Sequence, residues 1–293
     1  MAIAPIAATV TAPRRRESTL GQTMTGPVAG QHRVLSTDGV DLEGHLAPGQ
    51  GSKPGPGLLL LHGFPSGSLS AEAVGKDQPE LADRIAIEMG WTVLSIRLRG
   101  CGTSTGDFSL ASWIDDARAG LSYLRSVMSR SSNRPRNLDG DDEPLWLVGF
   151  GTGGVVGLNA AVADGRVRGA AMVGAPADFD DWAKTPERLL AHAHEVGVIK
   201  TPAFPEDLAA WKAELSAVRA TSAAESFAPH PLLVLHGSDD DAVPSFDARM
   251  VADAHGAAEL RLISGAGHQL RHDPRAIAVL LGWLERTRNE TGA

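Results

Sequence analysis

The amino-acid sequence predicts an α/β fold in which a mostly parallel, twisted sheet carries helices on both faces. Continuous apolar runs bounded by glycine, such as Gly57–Leu61, are typical of strands that are buried on both faces. Amphipathic helical segments alternate with these runs along the chain, and this alternation indicates βαβ units. The 293 residues suffice for one large domain of this kind.

The predicted elements follow one another in a regular order. Two strands at 32–36 and 40–46 flank the turn 37–39 and predict an antiparallel hairpin at one edge of the sheet. The other strands are predicted at 57–61, 91–98, 145–150, 167–173, 232–236 and 259–263. Helices are predicted at 79–89, 110–129, 154–162 and 245–255, and a last helix carries Ile277, Leu280, Leu281 and Leu284 at helical spacing.

Two segments depart from this alternation. Residues 1–30 are rich in Ala, Thr, Pro and Gly, so we expect a flexible tail before a single domain at 31–290. Residues 177–228 contain helix formers and no strand pattern, and they predict a helical insertion. Insertions at strand ends of open α/β sheets overhang the ligand crevice, so this segment is interpreted as a lid; the alternative is a structural cover for a sheet edge.

Composition excludes several classes of function. The net charge of −8 argues against nucleic-acid binding, which needs a basic surface. The single cysteine excludes an intramolecular disulfide and a cysteine-rich zinc site. No apolar run approaches the ~18–20 residues of a membrane helix. Because the arginines at 14–16 follow the mildly apolar start instead of preceding it, we expect no secretory signal and a cytoplasmic location.

Four motifs occur in a specific order, each after a predicted strand. They are Leu-His-Gly-Phe at 61–64, Val-Gly-Phe-Gly-Thr-Gly-Gly at 148–154, His-Gly-Ser-Asp-Asp-Asp-Ala-Val-Pro at 236–244 and Gly-Ala-Gly-His at 265–268. This order resembles the α/β-hydrolase fold: an oxyanion loop, a nucleophile elbow, an acid and a histidine. The resemblance covers about residues 32–288 and is closest to the serine esterase, dienelactone-hydrolase and serine-aminopeptidase-like branch.

The resemblance assigns roles to individual residues. A nucleophile elbow is a sharp strand-to-helix turn that needs glycines where side chains would clash, and Gly149, Gly153 and Gly154 meet that need. The oxyanion hole would consist of the N–H groups of Phe64 and Thr152.

The acid and the base are implied by their positions in the last two motifs. Asp240 matches the acid, with its neighbours Asp239 and Asp241 as alternatives, and His268 matches the general base. His236, in the acid motif, is expected to shape its loop and not to transfer protons.

The elbow departs from the family pattern at one position. Gly151 stands where the family has its nucleophile, and glycine cannot form an acyl-enzyme. A literal Gly-x-Ser-x-Gly occurs at 102–106, but it leads into a loop, so Ser104 is expected to be structural. Cys101 and Thr152 are further alternatives for a nucleophile; a lone Cys is more often a buried small hydrophobe.

Two functions from different classes therefore stay open. In the first, the Asp240–His268 dyad activates water for hydrolysis of a small ester-like carbonyl compound, or His268 takes a proton from the substrate. In the second, the protein is a catalytically inactive member of the fold that binds a small ligand or a protein partner. An engineered Ser→Gly substitution at position 151 would give the same sequence. Self-association into a homo-oligomer is left open.

Several other residues are candidates for substrate contacts. His62, Trp182, Phe204 and Trp211 are predicted to line or cap an apolar pocket, and packing alone is the alternative for the aromatic residues. A role in shaping its loop is preferred for His62 over a role in proton transfer. Arg97 and Arg99 are expected to tie loops together, with binding of a substrate carboxylate as the second interpretation.

No cofactor or metal is expected. The glycines at 149–154 lack the lysine of a phosphate-binding loop and follow a late strand. His192 and His194 are two residues apart, so on a helix they point to different faces and would not share a metal. The acidic run 139–143 lacks the ligand spacing of a calcium loop and is interpreted as solvated.

Overall fold

A computed structural model describes residues 29–36, 38–50, 55–66, 69–131 and 144–290. Its strands are β1 (Gly30–Leu35), β2 (Asp41–Ala47), β3 (Gly57–Leu61), β4 (Thr92–Ile96), β5 (Leu145–Phe150), β6 (Val167–Val173), β7 (Leu232–Gly237) and β8 (Glu259–Ile263). They form one sheet in the order β1-β2-β4-β3-β5-β6-β7-β8. The β1–β2 and β2–β4 pairs are antiparallel and the other pairs are parallel, which confirms the predicted sheet.

The helices confirm the predicted alternation. They are α1 (Gln78–Met89), α2 (Leu110–Ser131), α3 (Thr152–Asp164), α4 (Asp180–Lys184), α5 (Pro186–Glu195), α6 (Leu208–Ala217), α7 (Ala220–Phe227), α8 (Ser245–His255) and α9 (Pro274–Glu290), with a 3₁₀ turn at Leu270–His272. Most of the predicted tail and the acidic run 139–143 lie outside the described residues. Within the described chain, no helix is long and apolar enough to cross a membrane.

The sheet separates two apolar cores because alternate side chains of a strand point to opposite faces. In β3, Leu59 and Leu61 pack into the core that contains α2 and α3. Leu58 and Leu60 pack into the core that contains α1 and α9. Burial on both faces is therefore the reason why β3 is apolar throughout, as a parallel sheet requires.

The predicted insertion between β6 and β7 is helical and consists of α4 to α7. Hydrogen bonds attach it to the rest of the domain. The carboxylate of Glu214 on α6 accepts the N–H of Ala111 in the first turn of α2 at 2.8 Å. The carboxylate of Asp107 accepts the N–H of Lys200 at 2.5 Å and that of Thr201 at 3.1 Å. The insertion is thus fixed against the domain at several points.

Candidate active site

Loops at the carboxyl ends of four strands meet at one cavity. They follow β3, β5, β7 and β8 and carry Phe64, Gly151, Asp240 and His268 respectively. Phe64, Gly151, Thr152 and His268 line a cavity of about 630 Å³, and Asp240 lies directly behind His268. The structure therefore brings together the residues that the motif order assigned to one site.

The turn between β5 and α3 has a sharp, constrained backbone. Gly151 adopts φ +53° and ψ −129°, a combination that side chains disfavour. A Cβ at Gly149 would lie 2.2 Å from the carbonyl oxygen of Gly153, and a Cβ at Gly153 would lie 2.2 Å from that of His62. The glycines on either side of the turn are thus required by close backbone contacts.

Position 151 has room for a side chain but holds none. A Cβ added to Gly151 would lie 3.7 Å from the Cα of Gly63 and 4.0 Å from Nε2 of His268, both ordinary distances. A hydroxyl on such a Cβ would be within hydrogen-bond reach of His268. His268 therefore faces the point where a nucleophile would stand.

Asp240 holds His268 in a defined orientation. Its Oδ2 lies 2.9 Å from Nδ1 of His268, and its Oδ1 accepts the N–H groups of Ala242 at 3.0 Å and Val243 at 2.8 Å. Burial alone would raise the pKa of Asp240, but hydrogen bonds from His236, His268 and Val243 hold that pKa well below its usual range. Asp240 is therefore a carboxylate, and Nδ1 of His268 donates to it.

The two neighbouring carboxylates do not replace Asp240. Asp239 accepts a hydrogen bond from the hydroxyl of Ser238 at 2.6 Å, and both Asp239 and Asp241 are exposed.

Two backbone N–H groups are free to receive an anion. Those of Phe64 and Thr152 have no hydrogen-bond partner among the residues that the structure describes. Thr152 is the first residue of α3, where the helix dipole and unpaired N–H groups favour negative charge. Both residues line the cavity, as an oxyanion hole requires.

His62 does not line the cavity, so its predicted contact with substrate is corrected. The residue is 3% exposed, its Nδ1 lies 2.7 Å from the carbonyl oxygen of Gly63, and its Nε2 accepts the N–H of Leu98 at 3.0 Å. Burial lowers the pKa of His62 to about 4, so the ring is neutral. Both ring nitrogens contact backbone groups, so the residue helps to fix the loop after β3.

One of the three predicted aromatic contacts lines the cavity. Trp182 does so, and its ring lies 5.1 Å from that of Phe64. Phe204 and Trp211 are not among the lining residues, and these two predictions are corrected. Trp211 is buried in the core with its ring 6.4 Å from that of Phe108, and Phe204 packs against the same core.

The alternative nucleophiles have other environments. The hydroxyl of Ser104 donates to the carbonyl of Arg97 at 2.7 Å and accepts the N–H of Glu43 at 2.8 Å. Cys101 is fully buried, and burial raises the pKa of its thiol far above the usual range. Neither lines the cavity, whereas Thr152 does, and that residue is 5% exposed.

Arg99 and the two histidines of α5 have different surroundings. Arg99 pairs with Asp116 and Asp38, at 2.7 Å in each case, and so ties loops together as predicted. His192 lines the cavity, while Nδ1 of His194 contacts the carbonyl of Ile199 at 3.2 Å. In the described chain, no group of three or more potential ligands could hold a metal ion.

Some cavity residues were not identified from the sequence. They include Asp178, Phe179, Leu189, Asp247 and Arg271. Arg271 could have been identified from the sequence, because it follows His268 by only three residues. The others come from the insertion and from α8, and only tertiary packing brings them to the cavity.

Comparison with known proteins defines the class. A model of the alpha/beta hydrolase family matches residues 58–280, and the chain therefore belongs to that family. Similar solved structures include the alpha/beta hydrolase GrgF from Penicillium sp. sh18, with 20% identity, 89% of this chain and 99% of that chain covered, and a TM-score of 0.65. Est1E from Butyrivibrio proteoclasticus is 18% identical, with 90% and 100% covered and a TM-score of 0.64.

An esterase from Pyrococcus furiosus, Pf2001, is 18% identical, with 94% of this chain and 99% of that chain covered and a TM-score of 0.60. At these identities the likeness concerns the fold. No curated protein matches the chain.

Proposed function

We propose that this protein hydrolyses small ester-like carbonyl compounds with water, instead of a serine, as the nucleophile. His268 Nε2 takes a proton from the water while the water oxygen bonds to the carbonyl carbon. The carbonyl oxygen becomes an oxyanion that the N–H groups of Phe64 and Thr152 stabilise. When the C–O bond to the alcohol breaks, His268 returns the proton to the leaving alkoxide, and an acid and an alcohol are released.

The observation that carries this proposal is the Asp240–His268 pair beside Gly151. Because Nδ1 of His268 donates to Asp240 at 2.9 Å, the neutral ring has its basic lone pair on Nε2, which faces position 151. The Asp240 side chain is fully buried, and burying a charge costs stability unless it is paired. A base and its orienting carboxylate at the cavity favour chemistry over binding alone.

The cavity limits the substrate to a small molecule. Its volume of about 630 Å³ lies in the range of small-molecule sites, roughly 300–1,000 Å³. Phe64, Phe179, Trp182 and Leu189 contribute apolar surface, and the last three belong to the segment predicted as a lid. We therefore propose that this segment covers an apolar acyl or alcohol group. The Pyrococcus furiosus esterase among the structural relatives supports the choice of esters.

A second function, ligand binding without catalysis, is favoured by Gly151 itself. Loss of the nucleophile from a serine hydrolase triad lowers kcat by about 10⁶-fold in the enzyme where it has been measured. A protein that had used the serine mechanism would retain its cavity and lose nearly all turnover. The two functions differ in their dependence on His268.

The deciding experiment measures turnover of a panel of aryl and alkyl esters by four proteins: the wild type, His268→Ala, Gly151→Ser and Gly151→Ala. The proposal expects turnover by the wild type that His268→Ala lowers by about 10²–10⁴-fold. An inactive wild type with hydrolysis gained only in Gly151→Ser would favour the binding function. Gly151→Ala is the matched control, because it adds the Cβ without the hydroxyl.

A further inference from the structure

Two histidines contact the same oxygen of Asp240, and the proposed reaction uses only one of them. Nε2 of His236, at the end of β7, lies 3.2 Å from Oδ2 of Asp240 and 3.0 Å from the carbonyl oxygen of Val243. Nδ1 of His268 lies 2.9 Å from the same Oδ2. The side chains of His236 and Asp240 are both fully buried.

The surroundings of His236 define its hydrogen-bonding role. Both neighbours of Nε2 are acceptors, so Nε2 carries the hydrogen: the carbonyl of Val243 accepts it, and Oδ2 of Asp240 lies beside the same N–H group. Nδ1 is buried and has no partner among the described residues. A buried nitrogen without a partner costs stability, which an apolar side chain at this position would avoid. The single donated hydrogen is therefore what this ring contributes.

The charges around His236 come from few groups. Burial opposes its protonation, but hydrogen bonds to Asp240 and Val243 raise the pKa of His236 above its ordinary value. Asp247 on α8 adds a further carboxylate charge. Asp239 and Asp241, the adjacent acidic residues, are exposed. Asp240 is thus the carboxylate that His236 contacts directly.

We propose that His236 is a positioning residue, which fixes Oδ2 of Asp240 toward His268 and weakens the hold of that carboxylate on the Nδ1 proton of His268. Without the His236 hydrogen, Oδ2 of Asp240 would contact only one histidine N–H group, that of His268 Nδ1. The carboxylate would then attract the Nδ1 proton more strongly. The consequence for turnover rests on the proposed function, whereas the contact between the three side chains does not.

The test is an NMR titration of the ring signals of labelled histidines in the wild type, His236→Phe and His236→Gln. We expect the titration midpoint of His268 to rise in His236→Phe, because the positively polarised N–H group beside the carboxylate of Asp240 is lost. His236→Gln, which retains a donor, should restore part of the difference. His255→Phe is the matched control, since His255 is also buried and its Nε2 contacts the carbonyl of His230 at 3.0 Å.

An unchanged midpoint in a folded His236→Phe, or an equal rise in His255→Phe, would overturn the proposal. If His236→Phe does not fold, His236→Leu, which also lacks the donor, takes its place: a raised midpoint of His268 supports the proposal, and an unchanged midpoint overturns it. Ester turnover of the wild type is measured separately. Absence of turnover would refute the proposed function and leave the result on His236 intact.

Discussion

The loops after β3 and β8 each place a histidine at the carboxyl edge of the sheet, yet the two histidines have opposite environments. His62 is buried, both of its nitrogens contact the backbone, and burial lowers its pKa to about 4. His268 contacts the carboxylate of Asp240 through Nδ1 and lines the cavity. Its Nε2 has no hydrogen-bond partner among the described residues.

The difference shows that partner atoms, more than residue type or place in the fold, decide what a histidine does. Backbone partners on both sides fix His62 as a neutral structural ring. A carboxylate on one side and an open nitrogen on the other give His268 the properties of a base. Four predictions test this contrast.

The largest expected effect is the loss of turnover in His268→Ala. General-base catalysis contributes about 10²–10⁴-fold, so kcat/KM should fall by that amount. The free energy of unfolding should change less than in a His62 variant, because the His268 side chain is 24% exposed. Steady-state kinetics and urea unfolding of the same samples measure both effects. Full activity of His268→Ala would contradict the assignment of the base.

The next effect is a dependence of stability on pH that originates at His62. The unfolded chain binds a proton at this ring near pH 6.5, whereas the folded protein does so only near pH 4. The contribution of His62 to the free energy of unfolding is therefore fully present above pH 6.5. It decreases by roughly 3 kcal/mol as the pH falls to 4. Urea unfolding at several pH values should show a shallower loss in His62→Phe than in the wild type. Parallel curves for the two proteins would refute this prediction.

At neutral pH, His62→Phe should lower the free energy of unfolding by about 1–3 kcal/mol. The phenyl ring has a similar width but leaves the buried N–H of Leu98 without its acceptor. Urea unfolding at pH 7.5 measures this loss. The expected companion result is an oxyanion loop that is less well ordered, with reduced turnover. An unaffected stability would mean that the Leu98 bond contributes nothing.

The smallest effect is expected at Gly151, beside His268, and it is compared with the effect at Gly153, beside His62. Gly151→Ala should cost about 1–2 kcal/mol, because φ is +53° while the Cβ has room near His268. Gly153→Ala should cost more, because its Cβ would overlap the carbonyl oxygen of His62 at 2.2 Å. Gly165→Ala measures the cost of a positive φ without any contact, since φ is +69° and the Cβ would meet nothing within 4 Å. Equal losses in the Gly151 and Gly153 variants would contradict the geometry.

Most of the fold could be predicted from local patterns. Apolar runs gave β3 and β5 because both faces of a central strand are buried. Boundaries were less accurate. The strand predicted at 91–98 spans Thr92–Ile96, and the helix predicted at 154–162 begins at Thr152. The apolar pattern marks where a helix is buried, while the turn at Gly151 determines where it begins.

The site residues that belong to motifs could be predicted from the sequence. Those that only tertiary packing brings to the cavity could not. The order of strand-end motifs gave the Asp240–His268 pair. Spacing could not show that Trp211 packs away from the cavity, because the insertion's helices are placed by tertiary contacts. The contact between His236 and Asp240 could not be predicted from the sequence either. Residues four positions apart are neighbours on a helix but not in general in a loop, so this contact is known only once the loop is folded.

The most direct test of the central claim combines ester turnover with intact-protein mass spectrometry during the steady state. We predict turnover by the wild type with no acyl group on the protein, and an acyl-enzyme in Gly151→Ser, in which a hydroxyl would lie within reach of His268. An acyl adduct on the wild type at Ser104, Cys101 or Thr152 would contradict direct attack by water. A wild type without turnover on any ester would contradict the hydrolase function itself.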